Sequence, residues 1–305
     1  MENKFVDWKR VGIFIAFAFG IAWLVAWVLY RTGGLTPTPY TLILLGAGYM
    51  GAPALAHILT RLVTREGWQG LYLRPNFKKG RLYWLICWIA PVLFSFLGMG
   101  LFFALFPQYY DPTLSAVTNL MEQSAAATGQ PIPSMDPWVI VLSQTLTALL
   151  AAPILNAIPI LGEEFGWRAY LQPRLMPLGG RKAMVVMSII WGLWHAPLIA
   201  MGHNYGTSYP GTPWTGILTT IWIMFILGTF LGWATLRAGS VWPAVIGHGA
   251  FNGIAGIYVF FTQGNPNPLL GPSLVGLIGS WAITVVALII FLKHGALETN
   301  GKSSL

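Results

Sequence analysis

The chain has 305 residues, of which 55% are hydrophobic and only 9% charged, with a formal net charge of +8 at pH 7. An ordinary soluble domain carries roughly 25% charged residues, so this composition excludes a water-soluble globular protein: there are too few polar side chains to cover its surface. Nor does the positive balance point to nucleic acid, because Lys and Arg fall in short clusters between apolar runs, the pattern of membrane-protein loops.

The apolar runs lie at approximately 11–30, 40–60, 82–106, 137–161, 183–201, 214–236, 243–262 and 273–292. Each is close to the roughly 20 residues that cross a bilayer as a helix. They predict an all-α fold, a polytopic membrane bundle of about eight transmembrane helices forming a single integral membrane domain over 1–305. The first run follows Lys4, Lys9 and Arg10, as a signal peptide would. It is longer than a signal core, and Arg31-Thr32-Gly33 follow it without an Ala-x-Ala site, so it reads as a retained helix. Pro53, Pro91 and Pro153 fall inside runs and predict kinks. The single cysteine, Cys87, excludes an intrachain disulfide framework and a cysteine zinc cluster. No His or carboxylate stands near it in sequence to make it a nucleophile.

With the N-terminus inside, 16 of the 17 basic residues fall on the inner side and only Arg31 on the outer. This positive-inside bias predicts an even number of spans with both ends in the cytoplasm. The outer segment 107–136 has no basic residue. Within it Asp111-Pro112 is expected to cap a short surface-lying helix with Leu114, Val117, Leu120 and Met121 on one face. Gly228-x-x-x-Gly232 and Gly249-x-x-x-Gly253 suggest close helix packing in the last third of the chain.

The chemistry-bearing residues follow. Glu163 and Glu164 are two of nine acidic residues and the only carboxylates between Pro137 and Leu297. Ionisable groups at the hydrocarbon layer are costly and face a bundle interior or a wet cavity. Pairing of Glu164 with Arg168 at i+4 accounts for one of them. It leaves Glu163, about 100° away around a helix, unexplained. His195 lies about 18 Å into its run, and His248 roughly 16 Å beyond Arg237; Asn252 shares the His248 face at i+4. Taken singly, a buried histidine suggests a structural hydrogen bond. Two histidines, an amide and a carboxylate pair on neighbouring helices suggest a site. His57, His203 and His294 have no such company. The set can activate water: a carboxylate serves as general base and then acid beside an imidazole, while a second imidazole and an amide donate to an oxyanion. Glu163, His195 and His248 could alternatively hold a divalent metal such as zinc, although no His-Glu-x-x-His is present.

At these residues the sequence resembles the CAAX-protease and bacteriocin-processing family of intramembrane proteases. The family pattern is Glu-Glu-x-x-x-Arg, aromatic-x-x-x-His and His-x-x-x-Asn. It is met by Glu163 to Arg168, Trp191 to His195, and His248 to Asn252. The second motif usually begins with Phe and here has Trp191, another bulky aromatic. The likeness covers about 90 residues of the second half; the first 140 residues match only as hydrophobic helices.

The resemblance implies catalytic core helices at 137–262, with Glu163 and His195 activating water and His248 and Asn252 forming the oxyanion site. Glu164 and Arg168 support the architecture. It further implies an endopeptidase that cuts membrane-associated, lipidated (CAAX-type) substrates. No cofactor is expected, since a metal-free glutamate mechanism suits the family architecture. The expected location is a prokaryotic cell membrane, with the cavity opening to the cytoplasm. Rival readings are a non-catalytic immunity or scaffold protein and a proton-relaying transporter. The ordered motifs, and the lack of a recognisable repeat between the two halves, argue against the transporter.

Overall fold

A computed structural model describes residues 5–129 and 135–298. Lys4 and Lys302, two of the basic residues used to orient the chain, lie outside the described residues, as do 130–134 of the outer segment. Among the described residues all regular structure is helical, and the one β-type contact is an isolated bridge between Tyr110 and Thr262.

The helices are α1 (Trp8–Arg31), α2 (Pro39–Val63), α3 (Phe77–Leu105), α4 (Ser115–Thr128) and α5 (Pro137–Leu155). They continue with α6 (Ala157–Gly166), α7 (Gly180–Trp194), α8 (Trp214–Ala238), α9 (Trp242–Ile254) and α10 (Trp281–Leu292). Six spans are long and apolar enough to cross a membrane: α1, α2, α3, α5, α8 and α9 with its continuation to Phe261. Their outward faces are apolar, with Leu155 72% and Leu142 59% exposed on α5. Such surfaces are tolerated in lipid and not in water. This is an integral, multi-pass membrane protein.

Two of the eight apolar runs form shorter helices than expected. The 183–201 run gives the 15-residue α7, which stops at His195 because Pro197 supplies no backbone N–H to continue it; a five-residue helix, Ala196–Ala200, follows. The 273–292 run gives the 12-residue α10, since Ser273, Gly276, Gly279 and Ser280 hold its first part in turns.

Burial orders the bundle. In α8, 72% of the apolar window is buried, against 17% in α5, so α8 is central and α5 peripheral. Helix α1 begins at Asp7, whose carboxylate accepts from the Arg10 N–H at 3.1 Å. Its buried residues Val11, Phe14, Ala18, Ala22, Ala26 and Leu29 recur at helical spacing and pack on α2. Three proline positions explain three wide π turns. The turns Leu44–Tyr49, Thr147–Ala151 and Trp167–Leu171 each contain the residue four positions before a proline: Pro53, Pro153 and Pro173 respectively. A proline ring clashes with that carbonyl and cannot donate to it, and a widened turn removes both problems.

A short helix follows Asp111 as expected, but it starts at Ser115, with Leu114 and not Asp111 at its cap position. The Asp111 carboxylate accepts from the Thr113 and Ser115 backbone N–H groups at 2.8 and 2.7 Å and from both hydroxyls at 2.6 and 2.5 Å. Leu114 and Val117 are buried, but Leu120 is 52% exposed, so the inward face is narrower than expected.

Two predictions follow from this arrangement. Lys78 lies in the first turn of the 29-residue α3 and Ser124 beyond its other end, and the helix is about 43 Å long. Single cysteines at these exposed positions, with Cys87 replaced, should label from opposite faces of the membrane; labelling from one face would break α3 as a span. The second concerns Asp111. Burial acts to raise its pKa, yet the Ser115 and Thr113 hydrogen bonds outweigh it and lower the value from 3.8 to about 2. Its contribution is therefore present above about pH 4 and lost as pH falls through about 2. Asp111→Ala should weaken the start of α4 by about 1 kcal/mol, read as faster amide exchange in Ser115–Thr128 at neutral pH.

Candidate active site

Glu163 and Glu164 occupy the last turn of α6, which lies close against α2. A Cβ on Gly166 would stand 2.4 Å from Pro53 Cβ and 2.6 Å from its carbonyl oxygen, so only glycine permits this approach. The π turn Trp167–Leu171 follows directly and carries Arg168. Both glutamates are buried, at 4% and 0% exposure, but they face different partners.

Glu164 is neutralised. Its Oε2 lies 3.1 Å from Arg168 Nε, and its Oε1 lies 2.8 Å from His248 Nδ1 on α9. Arg168 is itself fully buried, with its guanidinium 4.2 Å from the centre of the Trp191 ring on α7. A buried guanidinium is tolerable only with such a counter-charge, and the aromatic face adds a cation–π contact.

Among the described residues Glu163 has no counter-charge in direct contact. Its Oε2 accepts from the indole Nε1 of Trp191 at 3.1 Å. Trp191 thus stands between the two carboxylates, bonding one through its N–H and bearing the partner of the other on its ring. It also meets His248 edge to face, with ring centroids 5.4 Å apart.

His195 sits where α7 ends and is half-buried. Its Nδ1 lies 2.8 Å from the Trp191 carbonyl oxygen. A carbonyl only accepts, so Nδ1 carries the proton and the lone pair of the neutral ring is on Nε2. The adjacent turn is pinned by Tyr49 and Trp23, which both donate to the Trp194 carbonyl oxygen, at 2.5 and 3.2 Å. His248 is 5% exposed; Asn252, one turn further along α9, is exposed.

The expected residues are therefore joined unequally. Glu164, Arg168 and His248 are in direct contact, and Glu163 joins them through Trp191. His195 is tied to the same tryptophan by its backbone and has no direct hydrogen bond to Glu163 among the described residues. The amide of Asn252 is unengaged among the described residues. No group of three or more His, Cys, Asp or Glu side chains among them is arranged to hold a metal ion. Glu163, His195 and His248, the alternative zinc set, are not brought into one such group among the described residues.

Three contributors were not legible as motif residues. Trp191 is more than a bulky substitute for Phe, since its N–H bonds Glu163. Tyr49 fixes the turn before His195. His57, set aside in the sequence, is fully buried: its Nδ1 lies 2.8 Å from the Phe165 carbonyl oxygen, and its Nε2 accepts from Arg61 Nε at 2.6 Å. Arg61 also donates to the Gly67 and Gln69 carbonyls, linking the loop after α2 to the helix that carries Glu163. The available signal was the spacing of four between His57, inside an apolar run, and Arg61 at its end.

A buried, membrane-embedded cluster of carboxylates and imidazoles on α6, α7 and α9 defines a candidate acid–base site in a helical membrane protein. Residues 138–254 match the family model described as Rce1-like, type II CAAX prenyl endopeptidase, so this segment is similar to that family of membrane proteases. The matched segment contains all three motifs, Glu163 to Arg168, Trp191 to His195 and His248 to Asn252. A search of curated proteins finds no match to the chain.

The two adjacent glutamates should respond unequally to the same substitution. Glu164→Gln leaves Arg168 buried without its carboxylate, a loss of about 3–5 kcal/mol. Glu163→Gln retains an acceptor for the Trp191 N–H and should leave stability nearly unchanged. Thermal unfolding in detergent distinguishes them; equal midpoints for the two variants would contradict the division of roles.

Proposed function

We propose that the chain is a glutamate-type intramembrane endopeptidase acting on lipidated, CAAX-type protein substrates within the bilayer. The observation that carries this reading is the unequal treatment of the two carboxylates. Among the described residues Arg168 and His248 occupy Glu164, while Glu163 accepts a hydrogen bond from a neutral indole alone and is free to take a proton.

In the proposed reaction Glu163 accepts a proton from water as the water oxygen bonds to the scissile carbonyl carbon. His195 orients that water through Nε2. The tetrahedral intermediate places negative charge on the former carbonyl oxygen, which Asn252 stabilises through its amide N–H groups and His248 through Nε2–H. Because His248 Nδ1 already donates to Glu164, donation from Nε2 uses the imidazolium form, whose charge then faces the Glu164 carboxylate. Collapse breaks the C–N bond, and Glu163 returns its proton to the leaving amine. No step is routed through a metal.

The orientation accompanying this reading is eight passes with both ends in the cytoplasm, from the 16-to-1 distribution of basic residues, in a prokaryotic cell membrane. The site then opens toward the cytoplasm, where CAAX-type substrates would be presented.

Purified protein incubated with a prenylated CAAX peptide should cleave it. Glu163→Gln and His195→Ala should each abolish cleavage; a Glu163→Gln variant keeping a tenth of normal activity would move the base elsewhere. Asn252→Ala, at an exposed position, should fold normally and lower kcat by about 100- to 1,000-fold. Elemental analysis should find no stoichiometric metal, and prolonged chelation should leave most activity. One zinc per chain, lost together with activity in His248→Ala and restored by added zinc, would overturn the glutamate mechanism.

A further inference from the structure

Far from the glutamates, the start of α7 and the end of α10 form a second built site. A Cβ on Gly180 would lie 2.1 Å from the Leu297 carbonyl oxygen, so glycine lets the segment after α10 fold onto the first turn of α7. Between them is a cavity of about 330 Å³ whose wall includes Arg181, Lys182, Lys293, His294 and Glu298. Three permanent cations thus face one carboxylate. Arg181 is held in place by donating to the Phe291 and Leu292 carbonyls at 2.7 and 2.5 Å, which orients its charge without neutralising it. Lys182 and Lys293 are exposed and make no ion pair among the described residues. The first turn of α7 also lacks a side-chain cap, so its backbone N–H groups remain available at the same end.

This cationic cavity is continuous with an apolar groove. A second space of about 420 Å³ shares Leu178, Arg181, Lys182 and Phe291 with the first and runs on along Val185, Val186 and Trp8. Val185 is 39% and Trp8 56% exposed, so the groove opens outward from the bundle. A soluble phosphate would use the cavity alone, and a neutral lipid or a prenyl chain the groove alone. A ligand with an anionic head joined to a hydrocarbon chain uses both. Basic pockets between membrane helices are known to suit anionic lipid headgroups, and Trp8 at a helix start suits the headgroup level.

We propose that this cavity and groove form a binding site for one anionic phospholipid, its phosphate between Lys182, Lys293 and Arg181 and an acyl chain along Val185, Val186 and Trp8. The site lies roughly 16 Å along α7 from Trp191 and is independent of the proteolytic reading. Bound there, the lipid would tie α1, α7 and α10 together at one membrane face.

Trp8 supplies a local reporter. The full chain is reconstituted in neutral vesicles containing small amounts of dibrominated phosphatidylglycerol or dibrominated phosphatidylcholine, and quenching is read as the difference between wild type and Trp8→Phe. Phosphatidylglycerol should quench Trp8 at concentrations well below those of phosphatidylcholine. Lys182→Gln with Lys293→Gln should weaken that preference by roughly fivefold for each lysine removed. Quenching by phosphatidylcholine, unchanged in the double variant, reports that the groove is intact. Added soluble glycerol phosphate should not displace the lipid. Equal quenching by both lipids, a preference surviving the double substitution, or displacement by glycerol phosphate would each overturn the proposal. Trp8 unquenched by either lipid would also overturn it, since a second copy of the chain would then cover the groove.

Discussion

A guanidinium with no solvent exposure dictates much of what surrounds it. Arg168 lies inside a bundle whose other atoms at that level are mostly hydrocarbon, and an uncompensated charge there would cost several kcal/mol. Glu164 supplies the counter-charge from one turn earlier on α6, the Trp191 ring on α7 covers the guanidinium face, and His248 on α9 takes the other Glu164 oxygen. Three helices distant in sequence are thereby held in one relative placement. The ion pair adds little net stability over a hydrophobic replacement, but its breakage is expensive. That asymmetry makes it a device for fixing geometry.

What that geometry secures is the isolation of Glu163. The residue adjacent to the ion pair emerges on a different side of α6 and finds an indole N–H in place of a cation. The backbone contributes as well. The π turn that relieves Pro173 begins immediately after α6, and the π turn that relieves Pro53 carries Tyr49, which pins the turn before His195. Prolines that read in the sequence as kinks thus act by widening helical turns beside the reactive residues. This gives a physical reason for their placement close to the site.

The sequence disclosed the helical class and eight apolar runs, six of which are long spans in the structure, and it disclosed the costly residues, because charge in hydrocarbon is conspicuous by its rarity. Glu163, Glu164, Arg168, His195 and His248 were all visible for that reason. Helix ends inside apolar runs were not: nothing in the hydropathy of 183–201 marks the stop at His195 except Pro197. Leu120 was placed on the buried face of α4 by periodicity alone, and the structure turns it outward because α4 packs against little beyond the α5 and Phe261 region. The role of the Trp191 N–H is not legible in the sequence because an aromatic matched to an aromatic looks conservative by size. The partner that makes its polar atom matter lies 28 residues away in sequence.

The histidines show where composition stops and geometry begins. His57, His195 and His248 all lie in apolar surroundings, and all three place Nδ1 at 2.8 Å from an oxygen that can only accept: a carbonyl for His57 and His195, a carboxylate for His248. Nδ1 therefore bears hydrogen in each, and the difference between them is confined to Nε2. In His57 that nitrogen accepts from Arg61 at 2.6 Å, which closes the ring into a structural strut between the loop after α2 and α6. In His195 and His248 it has no protein partner among the described residues. An imidazole with one nitrogen anchored and the other unoccupied is oriented and still available to a substrate or water. On this criterion His195 and His248 separate from His57 by a single hydrogen bond that no sequence spacing reports.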